Sequence, residues 1–79
     1  MRIDKFLKNS RLIKRRTIAK EACDQERIMI NGKVAKAGSE VKVGDIICIR
    51  FGMSEITVRV LLLTESSKKE DAVNMYEII

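Results

Sequence analysis

The sequence predicts a small α+β domain, with two short N-terminal helices packed on a small antiparallel sheet and a short helix at the C-terminal end. Three observations predict it. Apolar residues recur at helical spacing through about the first 25 residues. From Ile28 onward the period falls to two, interrupted by Asn-Gly and Gly-Asp turn signals. Helical spacing then returns after a polar stretch, residues 64–71. At 79 residues the chain is a single domain. Residues 1–63 read as its main body, and residues 64–79 as a polar linker and short helix that packs on the same domain.

Ile3, Phe6 and Leu7 lie at i, i+3 and i+4, one face of a helix of one to two turns that yields near Asn9-Ser10. Asp4 falls in its first turn, where a carboxylate suits the positive end of the helix dipole. A second helix is expected over about residues 15–25, with Ile18, Ala19, Ala22 and Cys23 as its apolar stripe. Arg15, Arg16 and Lys20 occupy its start and outer face. Cations at a helix start oppose the dipole, at about a few tenths of a kcal/mol each. Stability does not call for them there, so their placement points to a function.

Ile28 and Ile30 then alternate with Met29 before Asn31-Gly32 and Val34. Asn-Gly between short apolar runs is a strong hairpin signal, because both residues accept positive φ. Residues 37–40 read as a loop, and Gly44-Asp45 as a turn. Residues 46–51 form an apolar strand, residues 52–55 a turn, and residues 56–63 a strand that pairs antiparallel with it. Ser67 and Glu70 have the spacing of a capping box. Ala72, Met75, Tyr76 and Ile79 continue at i, i+3, i+4 and i+7, so a helix is expected over about 68–77. Phe6 and Phe51 are expected in the core, and Tyr76 there with its hydroxyl at the surface. With three aromatic residues in all, stacking on unpaired bases is not supported.

Charge is the most uneven property of the chain. The first twenty residues hold eight Lys/Arg and one acid, Asp4. The remaining 59 hold eight Lys/Arg and ten Asp/Glu. The net +5 is therefore an N-terminal feature on a slightly acidic body. Clustered cations of this kind suit a polyanion, and nucleic acid is the prime candidate. The chain lacks histidine, and its two cysteines, Cys23 and Cys48, are 25 positions apart. That removes the commonest general base and the usual zinc ligand patterns, so no catalytic residue, metal site or cofactor is expected. No apolar run approaches the roughly 20 residues of a membrane span, and without a targeting signal the expected location is cytoplasmic.

Four blocks in order carry a resemblance. They are Arg2-Ile3-Asp4-Lys5-Phe6-Leu7, Lys14-Arg15-Arg16-Thr17-Ile18-Ala19, Arg27-Ile28-Met29-Ile30-Asn31-Gly32 and Val43-Gly44-Asp45-Ile46. Together they resemble the S4 RNA-binding domain family, over about residues 2–51. The resemblance implies the S4 (αL-motif) fold for residues 1–63. Residues 1–8 and 11–21, with Lys68-Lys69-Glu70 and Asn74-Met75-Tyr76, are similar to the small stand-alone members of bacterial ribosome-associated quality control, relatives of the heat-shock S4 proteins. Many members carry glycine just after the second helix, where Glu26 stands here. A glutamate there must either strain or end the helix another way.

Such a resemblance implies a non-enzymatic rRNA-binding factor. It would bind the large (50S) subunit carrying a stalled peptidyl-tRNA, stabilise that tRNA in the P site and support C-terminal alanine tailing. The implied partners are the large-subunit rRNA, the P-site peptidyl-tRNA and a quality-control protein that recruits alanyl-tRNA, with this chain acting as a monomer. A-form RNA presents phosphates, 2′-hydroxyls and shape to a rigid domain, and the planar arginine fork bridges phosphate oxygens well. The candidate RNA-binding residues are Arg2, Arg11, Arg15 and Arg16, then Lys5, Lys14 and Lys20. Arg16 ranks first, being in the family's Arg-Ser/Thr pair, here Arg16-Thr17. Thr17 is a candidate phosphate donor or helix cap, and Asp4 a candidate to orient Arg2 or Arg16 or to touch a partner protein. The alternatives are a heat-shock-type factor that recycles large subunits with nascent chains, an accessory of an RNA-modifying enzyme, and a DNA-binding regulator. Glu21, Asp24 and Glu26 argue against the last, since they would repel a duplex lying along the second helix.

Overall fold

A computed structural model describes residues 1–66 and 68–79. Two helices, α1 (Ile3–Asn9) and α2 (Arg16–Asp24), precede a hairpin of β1 (Ile28–Ile30) and β2 (Lys33–Val34). Then come β3 (Ile46–Phe51), β4 (Ser54–Val60), the single-turn α3 (Lys69–Ala72) and β5 (Tyr76–Ile78). The five strands form one antiparallel sheet in the order β2-β1-β3-β4-β5. The α+β class and the N-terminal helix pair are as the sequence predicts.

Sheet register explains how the helices are seated. Ile28 pairs with Ile49, and Ile47 with Val58. These four and Val60 are fully buried, in one core with Ile3, Phe6 and Leu7 of α1 and Ala19 and Cys23 of α2. Period-two burial on the strands thus meets period-3.6 burial on the helices. Asn31 (φ 51) and Gly32 (φ 82) make the two-residue turn between β1 and β2, a conformation that matches strand twist. Asn31 also ties this hairpin to β3, because its Oδ1 accepts the Ile46 N–H at 2.9 Å and its Nδ2 donates to Asp45.

The end of α2 resolves the question raised by Glu26. The Glu26 N–H donates to the Cys23 carbonyl at 3.0 Å, and the Arg27 N–H to the Ala22 carbonyl at 2.9 Å. This is the Schellman pattern, and Glu26 takes the left-handed position with φ 60. The helix keeps the glycine-type ending and the glutamate bears the strain.

Four expectations change. The helix expected over 68–77 is confined to Lys69–Ala72, and Tyr76–Ile78 is an edge strand on β4, with Val60 opposite Tyr76. Ala72 and Met75 are buried as the helical spacing implied. Beyond them, Tyr76 and Ile78 favour a pleated surface, and pairing satisfies the edge of β4; the Leu61 N–H, for example, donates to the Met75 carbonyl at 2.8 Å. The proposed capping box involves Ser67, which lies outside the described residues. The last long strand runs from Ser54 to Val60, not 56–63, because a tight turn at Gly52-Met53 brings Ser54 opposite Phe51. Phe51 at that hairpin tip is 48% exposed, so it is not a core residue. Ile18 is exposed as well, since α2 turns Ala19 and Cys23 inward.

Candidate nucleic-acid interface

The N-terminal strand of backbone is fixed before any functional side chain is placed. Arg2 forms an isolated antiparallel bridge with Glu40. The Ile3 N–H donates to the Ser39 carbonyl at 2.8 Å and the Asp4 N–H to the Ala37 carbonyl at 3.3 Å. The Lys5 N–H donates to Asp4 Oδ1 at 2.8 Å. The first N–H groups of α1, which a helix leaves without internal partners, are thus taken by the 37–39 loop and by Asp4. The Met1 amino group pairs with Glu40. The start of α1 is therefore anchored to a loop more than thirty residues away.

On this base, Asp4 draws two arginines together. Its side chain is 3% exposed, while those of Arg2 and Arg16 are 53% and 48% exposed. Arg2 Nη2 lies 3.3 Å from Asp4 Oδ2. Arg16 approaches with two nitrogens, Nε 3.4 Å from Oδ2 and Nη2 3.4 Å from Oδ1. Arg2, Asp4, Arg16, Thr17 and Lys20 line an open pocket of about 310 Å³. Helix α2 contributes three of these residues, because Arg16 and Thr17 begin it and Lys20 lies one turn on.

The other candidates divide. Arg11, Lys14 and Arg15 are exposed on the turn between α1 and α2 and are not among the residues that line the pocket. Arg11 ends α1 with φ 62, a conformation that costs a side-chain-bearing residue. Lys5 is only partly exposed and forms an ion pair with Glu65, so it is the most committed of the lysines. Arg15 is at the N-cap of α2 without a side-chain cap bond. Thr17 is one residue inside the helix, so it is not the cap either.

Sequence reasoning missed Gly38. A Cβ at this position would stand 3.7 Å from Arg2 Nη2 and 3.9 Å from its Cζ and Nε, so the Arg2 guanidinium lies over the bare glycine backbone. No local signal marks this, because the contact crosses 36 residues of chain. Cys23 is buried on α2, outside the pocket lining. Burial pushes its thiol up to about 11, helped by the neighbouring Asp4 and Asp24 carboxylates. Among the described residues, no group of three or more His, Cys, Asp or Glu side chains is placed to hold a metal ion. No helix among them is long and apolar enough to cross a membrane.

The helix pair, the hairpin and the basic pocket define an S4 domain. The S4 domain family model matches residues 1–47, and the chain belongs to that family. Within it, the chain is 61% identical over 79 residues to the RQC P-site tRNA stabilizing factor of Bacillus subtilis (strain 168), covering all of this chain and 92% of that one. It is 58% identical over 78 residues to the protein of the same name in Halalkalibacterium halodurans, covering 99% of this chain and 89% of the other. Among solved structures, the Vibrio cholerae heat shock protein 15, described as trimeric, superposes with a TM-score of 0.92 at 26% identity, covering all of this chain and 81% of that one. The resemblance to stand-alone quality-control members, with heat-shock S4 proteins as more distant kin, is borne out.

Proposed function

We propose that this protein is an rRNA- and tRNA-binding factor of ribosome-associated quality control. It seats its α1–α2 face on rRNA of the large subunit and stabilises a peptidyl-tRNA in the P site. In this reading it supports C-terminal alanine tailing beside a partner that recruits alanyl-tRNA, as a cytoplasmic monomer that acts by binding and carries out no reaction itself. Residues 1–63 provide the RNA-binding unit, and residues 64–79 close the same domain.

The observation that carries the reading is the convergence of Arg2, Arg16, Thr17 and Lys20 on one pocket, in a chain 61% identical to a P-site tRNA stabilizing factor. The exposed cations Arg11, Lys14 and Arg15 extend that face, and Lys5 joins it by releasing Glu65 to solvent. Phosphates of A-form RNA reward such an array through charge-assisted hydrogen bonds and counterion release. Exposed Glu21 and Asp24 on the later part of α2, and Glu26 just beyond its end, oppose laying that helix along a DNA groove.

Sedimentation of the tagged protein from growing cells tests the reading. Co-migration with large subunits that hold peptidyl-tRNA, together with alanine tails that vanish on deletion, is the expected result. A protein confined to the top of the gradient contradicts it. The likeness to a heat-shock protein at a TM-score of 0.92 supports a second reading, recycling of large subunits with nascent chains. Large-subunit association with alanine tails unaffected by deletion would select that one.

A further inference from the structure

We propose that Asp4 is a positioning residue, whose buried carboxylate holds Arg2 and Arg16 as a preformed two-guanidinium clamp for one RNA backbone phosphate. The proposal rests on the α1–α2 face being the RNA-binding surface and adds how its two leading arginines are set.

The geometry is that of a built support. The carboxylate is 3% exposed, yet both guanidinium-bearing side chains are about half exposed. Its plane is fixed from the protein side by the Lys5 N–H at 2.8 Å. Arg16 meets it through an Nη2 hydrogen bond to Oδ1 at 3.4 Å and an Nε ion-pair contact with Oδ2 at 3.4 Å, which leaves at least three of the five guanidinium donors for a ligand. Arg2 commits one donor, at 3.3 Å, and its guanidinium is backed by Gly38. The bridge to Glu40 fixes the Arg2 backbone. Two guanidiniums this close repel each other unless an anion joins them. Asp4 supplies that anion from below, and an RNA phosphate would supply a second from the pocket side. Long arginine side chains otherwise lose much rotamer freedom on binding, and holding them in place beforehand shifts that loss from binding to folding.

Positioning by Asp4 reverses the sign that simple electrostatics gives. Asp4→Asn removes a negative charge from a basic face, so Coulomb attraction alone predicts tighter RNA binding. Positioning predicts weaker binding. Binding of Asp4→Asn and wild-type protein to a labelled A-form RNA hairpin and to purified large subunits, followed by anisotropy across a salt series, separates the two. The expected result is a loss on the order of ten-fold, the scale of one charge-assisted hydrogen bond. The slope of log affinity against log salt should also become shallower by about 0.7–0.9, one phosphate contact. In an Arg2→Ala/Arg16→Ala background, Asp4→Asn should have no further effect, because its action passes through those side chains.

A second variant does not touch the buried group. Gly38→Leu leaves the charge unchanged at an exposed loop position and displaces the Arg2 guanidinium, so it should weaken binding. Gly38→Ala, whose Cβ meets Arg2 at ordinary contact distance, should not. Equal or tighter binding by folded Asp4→Asn, or wild-type binding by Gly38→Leu, overturns the positioning role while Arg16→Ala remains defective. Wild-type binding by the Arg2→Ala/Arg16→Ala protein would overturn the RNA-face reading itself.

Discussion

Replacing Glu26 with glycine should stabilise the domain, and the gain can be worked from the backbone. Glu26 sits at φ 60, in the left-handed position of a Schellman ending. For a residue with a Cβ this conformation costs about 1–2 kcal/mol. Glycine removes that cost but loses more freedom on folding, which returns about 0.4–1 kcal/mol. The net expectation is about 0.5–1 kcal/mol of added stability. For a domain of this size that raises the midpoint by about 2–8 °C. The two capping bonds use backbone atoms only, so the substitution keeps them. Glu26→Ala is the control, since it deletes the charge but keeps the Cβ. Urea denaturation followed by circular dichroism, with all three proteins compared, measures the difference. The tenth residue beyond Arg16 lies about 15 Å along a helix from it, so RNA affinity should change little. A Glu26→Gly protein no more stable than Glu26→Ala would refute the strain argument.

Two further outcomes follow from the core. Met75 is fully buried beside the last strand, so Met75→Ala should cost about 2–5 kcal/mol, read by denaturant midpoint; a negligible loss would mean that the C-terminal segment adds little to the fold. Cys23 has its thiol pushed up to about 11 from 9.0, first by burial. The folded state therefore holds the thiol proton more tightly than the unfolded state, and stability falls as pH rises from about 9 towards 11. That fall should be smaller in Cys23→Ala, and native Cys23 should alkylate more slowly than the half-buried Cys48. Equal pH profiles would contradict it.

What the sequence made legible was local. The spacing of Ile3, Phe6 and Leu7 marked α1, Asn31-Gly32 marked the first hairpin, and the apolar run from Ile46 marked β3. The C-terminal helix was misread because Ala72, Met75, Tyr76 and Ile79 fit a helical period while Tyr76 and Ile78 also fit a strand. The β4 edge, a tertiary feature, decided between them. Phe51 looked like core because aromatic residues usually are, but its place at a hairpin tip depends on a turn shorter than expected. At the site, the cluster of cations and the single acid were visible, and so was Asp4 as a candidate to orient arginines. The support from Gly38 and the 37–39 carbonyls was not, since those contacts join distant parts of the chain. The Lys5–Glu65 pair was hidden for the same reason.

The central claim is that the α1–α2 face binds large-subunit RNA through its phosphates. The most direct test is equilibrium binding of the purified protein to large ribosomal subunits across a salt series, with wild type and Arg16→Glu side by side. The account predicts affinity that falls steeply with salt for wild type, at about 0.7–0.9 log units per log unit of salt for each phosphate neutralised. It also predicts at least a ten-fold loss for a folded Arg16→Glu protein, because a charge-assisted contact worth about 1.5–3 kcal/mol becomes a repulsion. A salt-independent affinity that Arg16→Glu leaves unchanged would contradict the claim.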